Sequence, residues 1–118
     1  MNPSPSQPTR LDLRVVGGGP GDPIVVVVAG RLDGRSVGQL RDELHRQLAH
    51  GHAEVLVDLA EAEIGDATAL ALLVGTHHRA RRGGQRVRVG AMSERTARLL
   101  RLAHLDRVLA REAAPASV

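Results

Sequence analysis

Apolar positions along this chain change period several times, and each change marks an element. Residues 11–16 alternate apolar and polar at first, as an edge strand does. GGGPGD, over 17–22, reads as a turn. Residues 24–29 (IVVVVA) form a continuous β-branched run, the pattern of a strand covered on both faces, and pair with the first strand as a hairpin. Ser36-Val37-Gly38-Gln39 has the form of a capping box, with a hydroxyl at the cap and an amide three residues on. Val37, Leu40, Leu44 and Leu48 then recur at helical spacing until His50-Gly51. Residues 54–59 (EVLVDL) predict a second buried strand, and a second helix follows over 67–81, stopped by Gly83-Gly84. In 85–91, Arg86 and Arg88 alternate with Val87 and Val89, which predicts a half-exposed strand with its arginines toward solvent. Ser93-Glu94 caps a third helix, whose inner side is marked by Met92, Thr96, Leu99, Leu100 and Ala103. Residues 105–109 are expected to add a short last strand.

The predicted order is β-β-α-β-α-β-α-β. Strands alternating with helices imply right-handed parallel crossovers, and the hairpin adds one antiparallel pairing. The fold class is therefore α/β, one domain with a mixed sheet and flanking helices. Its expected span is 11–112, after a disordered lead over 1–10 and before a tail over 113–118. The lead has no apolar core, so it does not read as a signal peptide.

Composition narrows the chemistry. All 16 basic residues are arginine, so the high isoelectric point of about 11.2 reflects guanidinium groups, and the net charge is only +3. Cysteine is absent, which excludes disulfides and thiolate metal sites and fits a cytoplasmic protein. Phe, Tyr and Trp are absent as well, so the core is aliphatic and a single-stranded nucleic-acid site, which usually stacks bases on such rings, is disfavoured. The longest uncharged apolar stretch, 67–76, is shorter than the ~20 residues needed to span a bilayer, so no membrane insertion is expected.

GGGPGD lacks the Gly-Lys-Ser/Thr ending of a phosphate loop and leads into a strand, so it is read as a turn. The pairs His50/His52 and His77/His78 lack the spacing that aims two imidazoles at one metal, and are expected at the surface. No serine sits in a nucleophile elbow. The basic cluster of Arg79, Arg81, Arg82, Arg86 and Arg88 suits a helix C-terminus and a solvated strand, and an acidic partner is open to it. Asp33 and the Asp66/Thr68 pair remain. Each follows a buried strand and precedes a helix, and such loops gather at the carboxyl ends of parallel strands. Asp33 and Thr68 are thus expected near one another, with the Thr68 hydroxyl outward. Local chemistry leaves two readings open: Asp66 and Thr68 begin a helix, or they hold a site.

Three stretches resemble the STAS domain family, the anti-sigma factor antagonists. They are Ala29-Gly30-Arg31-Leu32-Asp33; Val55-Leu56-Val57-Asp58-Leu59 with Ile64-Gly65-Asp66-Ala67-Thr68-Ala69-Leu70; and Leu102-Ala103-His104-Leu105-Asp106-Arg107-Val108-Leu109. The resemblance runs over about residues 11–109. It implies a non-enzymatic, cofactor-free regulator. Unphosphorylated, such a domain binds an anti-sigma factor that is also an ATP-binding, histidine-kinase-like serine/threonine kinase, and so frees a sigma factor. By position Thr68 is the phosphoacceptor, with Asp33, Asp66, Ala67 and Ala69 as partner-binding positions. The family signature has Ser where this chain has Ala67 and Gly where it has Ala69. The resemblance equally admits a non-phosphorylated accessory or scaffold subunit, for instance of a lipid-transport ATPase or a stress-signalling assembly.

Overall fold

A computed structural model describes residues 10–109, so the expected tail and all of the lead but Arg10 lie outside the described residues. Four strands make one sheet in the order β1 (Asp12–Gly17), β2 (Ile24–Leu32), β3 (Glu54–Ile64), β4 (Arg86–Met92). β1 runs antiparallel to β2, whereas β2, β3 and β4 are mutually parallel. The hairpin turn is held by Gly18 N–H to the Pro23 carbonyl at 3.1 Å and by Asp22 N–H to the Gly19 carbonyl at 2.8 Å. Gly17, Gly18 and Gly21 all take positive φ there, which is why the turn is glycine-rich.

Helices α1 (Val37–Ala49), α2 (Ala67–Arg82), α3 (Glu94–Leu102) and α4 (Asp106–Leu109) complete the domain. The core lies between helices and sheet. It is built from Ile24, Val26, Val28, Val55, Val57, Val87 and Val89 of the strands and Leu40, Leu44, Leu73 and Leu100 of the helices. β2 is therefore buried on one face only. Ile24, Val26 and Val28 are buried, while Val25 and Val27, which point the other way, are half-buried. The β-branched run reflects strand propensity more than a second covering layer.

The expected last strand is a helical turn, α4. Leu105, Val108 and Leu109 are spaced i, i+3, i+4, and Leu109 is fully buried among the core residues. His104 reverses the chain before it at φ 59°, and the Leu105 N–H reaches the Leu100 carbonyl at 2.8 Å, closing α3 with a Schellman-type turn. Edge strand β4 thus meets α4 rather than a fifth strand.

The capping box is also corrected. Ser36 has helical φ and ψ and no side-chain cap bond. It is fully buried, and its hydroxyl donates to the Arg31 carbonyl at 2.6 Å and accepts from the Asp33 N–H at 3.1 Å. Gln39 instead accepts from the Leu11 N–H at 3.1 Å, tying α1 to the chain just ahead of β1. Ser93, in contrast, caps α3 as expected, accepting from the Thr96 N–H at 3.1 Å. On that helix Thr96 and Leu100 are buried and Leu99 half-buried; Met92 instead ends β4, half-buried, and Ala103, the C-cap, is exposed. Among the described residues, no helix is long and apolar enough to cross a membrane.

Candidate functional site

Parallel pairing of β2 with β3 sets the site. Arg31 is registered against Glu63 and Leu32 against Ile64, so the loops leaving both strands emerge side by side. The Gly65 N–H donates to the Leu32 carbonyl at 2.7 Å and continues that pairing into the loops. This brings the loop that carries Asp33 and Gly34 alongside the start of α2 at Thr68, as expected from the topology.

Asp66 joins the two loops. It is the N-cap of α2, with extended backbone, and its Oδ1 accepts from the Thr68 N–H at 2.9 Å. Its Oδ2 accepts from the Gly34 N–H at 3.1 Å, across the gap to the loop before α1. One carboxylate is therefore both helix cap and inter-loop tie. Gly34 lies beside the start of α2: a Cβ there would stand in ordinary contact, 3.8 Å from the Thr68 hydroxyl oxygen and 3.9 Å from Asp66 Oδ2.

Asp33 organises its own loop. Its Oδ1 accepts from the N–H groups of Arg35 and Ser36 at 2.9 and 3.2 Å, and its Oδ2 accepts from Arg31 Nε at 3.3 Å. Arg31 also reaches Glu63 at 3.6 Å. Its guanidinium lies over Gly65, where a Cβ would come within 2.8 Å of Arg31 Nε. A side chain at 65 would therefore displace the half-exposed Arg31 head from this position. Three carboxylates, Asp33, Glu63 and Asp66, thus surround one arginine at the start of α2.

Thr68 is exposed in the first turn of α2, and Ala67 beside it is exposed too. Ala69 is different. It is fully buried and belongs to the core, so its methyl group packs inward and offers no surface to a partner. The expectation of a direct contact by Ala69 is corrected on that ground: in a helix, a position two residues from the outward-facing Ala67 turns to the opposite side.

The Asp66 carboxyl is held below its ordinary value of 3.8, chiefly by the Gly34 N–H. The hydroxyl and N–H of Thr68 and the charge of Arg31 act the same way, and partial desolvation opposes them. A carboxyl with a lowered folded-state pKa contributes stability that is complete above its unfolded value and is lost as pH falls through the folded value. The thermal midpoints of wild type and Asp66→Asn are therefore expected to differ most above about pH 5 and to converge below about pH 4. Thermal unfolding across that range checks this, and a gap that widens on acidification would refute it.

Arg31, Gly34, Ser36 and Gly65 carry this geometry, although the pattern of the chain assigned them no role in the site. The signal was indirect: the strand register that puts Arg31 opposite Glu63 also puts it over Gly65. Among the described residues, no group of three His, Asp or Glu is arranged to hold a metal. His77 corrects the expectation of surface histidines, since it is buried with Nδ1 3.1 Å from the Val87 carbonyl oxygen.

A mixed sheet with these two acidic loops meeting at the start of α2 defines a STAS-type domain. The family model described as MlaB, STAS domain matches residues 18–110, and the chain belongs to the STAS domain family. Its fold is similar to that of an anti-sigma factor antagonist from Mycobacterium paratuberculosis (21% identity, 90% of this chain and 86% of that one, TM-score 0.72). It is similar also to the anti-sigma factor antagonist SpoIIAA in its unphosphorylated form (14% identity, 83% and 85% coverage, TM-score 0.67). A third likeness is to the Bacillus cell fate determinant SpoIIAA in the phosphorylated form (14% identity, 83% and 88%, TM-score 0.62). No curated protein matches the chain.

Proposed function

We propose that this STAS domain is an anti-sigma factor antagonist switched by phosphorylation of Thr68. The observation that carries the reading is the exposed Thr68 hydroxyl in the first turn of α2, beside the Asp66 carboxylate that ties the two loops. Two relatives in fold are described as one protein in unphosphorylated and phosphorylated forms, which supports a switch of this kind. In the unphosphorylated state the loop surface formed by Asp33, Gly34, Asp66, Ala67 and Thr68 binds an anti-sigma factor of the ATP-binding, histidine-kinase-like type, and a sigma factor is released. The partner kinase supplies the chemistry, and the domain supplies an acceptor hydroxyl and no catalytic group. Function inside the cytoplasm, without direct contact to nucleic acid, belongs to the same reading.

A phosphate on Thr68 adds about −1.5 to −2 charges. The positive end of α2 attracts it, whereas Asp66 and Asp33 repel it. Gly34 N–H and Thr68 N–H already serve Asp66, so the phosphate gains few ready donors in the resting loops. The domain need not refold for the switch to work. A changed interface suffices, since ~1.4 kcal/mol is tenfold in affinity.

Incubated with ATP and a kinase encoded beside its gene, the protein is expected to gain the mass of one phosphate, and Thr68→Ala to gain none. Intact-mass spectrometry reads both. An equal gain in Thr68→Ala moves the site elsewhere. A second reading, a non-phosphorylated accessory subunit, draws on the family description naming MlaB and on Ala67 at the position where the signature has serine. Absence of any mass gain, together with co-purification with a membrane ATPase, favours that reading.

A further inference from the structure

At the other end of α2, away from Thr68, lies a cavity of about 320 Å³. It is lined by His77, His78, Arg81, Arg86, Arg88 and Arg107. Roughly 20 Å of helix separates Thr68 from Arg81 at about 1.5 Å rise per residue, so this is not the switch surface. The cations come from three elements: α2, edge strand β4 and α4. A helix C-terminus accounts for Arg81, near the end of α2, but not for Arg86, Arg88 or Arg107.

Among the described residues, no carboxylate lines the cavity. Among the described residues, the ion pairs involve Arg31, Arg41 and Arg46 and none of these four arginines. Glu54 is the register partner of Arg86 across the sheet, yet no ion pair joins them. Four arginines lining one cavity with no carboxylate among its described lining residues make a positive site, and an anion placed there offsets their mutual repulsion. His77 adds a further donor or acceptor. Its Nδ1 faces a carbonyl oxygen, which can only accept, so Nδ1 carries the hydrogen and Nε2 is left for the cavity.

From this convergence we infer that the cavity is a binding site for a compact oligophosphate group, held by Arg81, Arg86, Arg88 and Arg107. Guanidinium groups bind phosphate oxygens through paired donors, and arginine alone supplies the cations here. The volume takes a pyrophosphate-sized group, borne by a small molecule or displayed as a lipid headgroup. The inference stands apart from the switch at Thr68, and Thr68→Ala is expected to leave this binding unchanged.

The test is calorimetric titration of the full chain with inorganic pyrophosphate at fixed ionic strength, with amide chemical shifts of Val87, Arg88 and Val108 followed in parallel. Saturable binding is expected, weakened roughly tenfold in Arg86→Gln and again in the Arg86→Gln, Arg107→Gln pair. Arg86 and Arg107 are exposed, so both variants are expected to fold, and their thermal midpoints confirm that. Flotation with phosphatidylcholine vesicles carrying diacylglycerol pyrophosphate, against phosphatidylcholine alone, identifies the source. Arginine-dependent binding to the acidic vesicles, with weaker binding of free pyrophosphate, assigns a headgroup, and the reverse assigns a soluble ligand. The inference is overturned if pyrophosphate acts no differently from sodium chloride of equal ionic strength, or if the arginine variants titrate like wild type. It is also overturned if only duplex DNA binds, with steep salt dependence, because that would mark a diffuse basic surface.

Discussion

Thr68→Glu is expected to weaken binding to the anti-sigma factor partner by roughly ten- to a hundredfold while leaving the thermal midpoint of the free domain close to wild type. The two halves of this expectation have separate causes. Thr68 is exposed in the first turn of α2, where a carboxylate is compatible with the positive helix end, so the free fold tolerates the change. In the complex the same charge is buried against a partner and next to Asp66, whose oxygens are already committed to Gly34 and Thr68 N–H groups. A buried charge without a partner is costly, and its cost appears as affinity. Thr68→Ser is expected to bind as wild type does, because it keeps the hydroxyl and adds no charge. Calorimetry with the purified partner reads all three proteins. Equal affinity for wild type and Thr68→Glu would refute the switch at this residue.

How far this surface was legible in the chain differs from residue to residue. Asp66 and Thr68 stood out because a hydroxyl and a carboxylate at the mouth of an apolar helical run are local features. Their nearness to Asp33 followed from parallel topology. The Asp66–Gly34 tie did not, because it depends on how two loops settle across a gap, and nothing in the spacing of Asp33 and Asp66 specifies which N–H is reached. The close approach of Arg31 to Gly65 is likewise non-local, set by a guanidinium arriving from the neighbouring strand. Ser36 shows a limit of a second kind. Its motif is that of a cap, yet the Gln39 N–H that the hydroxyl would serve reaches the Ser36 carbonyl at 3.0 Å, and the hydroxyl turns to the Arg31 carbonyl instead. Residues 105–109 show a third: five residues fit strand or helix equally, and the choice fell to the spacing that buries Leu109.

Leu73→Ala is expected to have the largest effect on stability, a loss of about 2–5 kcal/mol against a total of ~5–15 for a domain of this kind. Leu73 is fully exposure-free in the middle of α2 and shares its buried stripe with Ala69, His77 and Ala80, of which the two alanines are small. With no Phe, Tyr or Trp in the protein, aliphatic side chains such as Leu73 fill most of the space between α2 and the sheet. Removing one leaves a cavity that short valines on β3 and β4 cannot reach across, because β-branched side chains in a strand have little rotamer freedom. Urea titration reads the loss, and a change under about 1 kcal/mol would mean that the core collapses onto the gap. The functional consequence runs opposite to that of Thr68→Glu. α2 presents Thr68 through its first turn, and the Asp66 tie to Gly34 fixes that turn from outside the core. The folded fraction of Leu73→Ala is therefore expected to bind the partner with wild-type affinity, while total binding falls with the fraction unfolded. If instead the affinity per folded molecule fell tenfold, the site would depend on core packing as much as on its two loops, and the separation between a stable scaffold and a surface switch would fail.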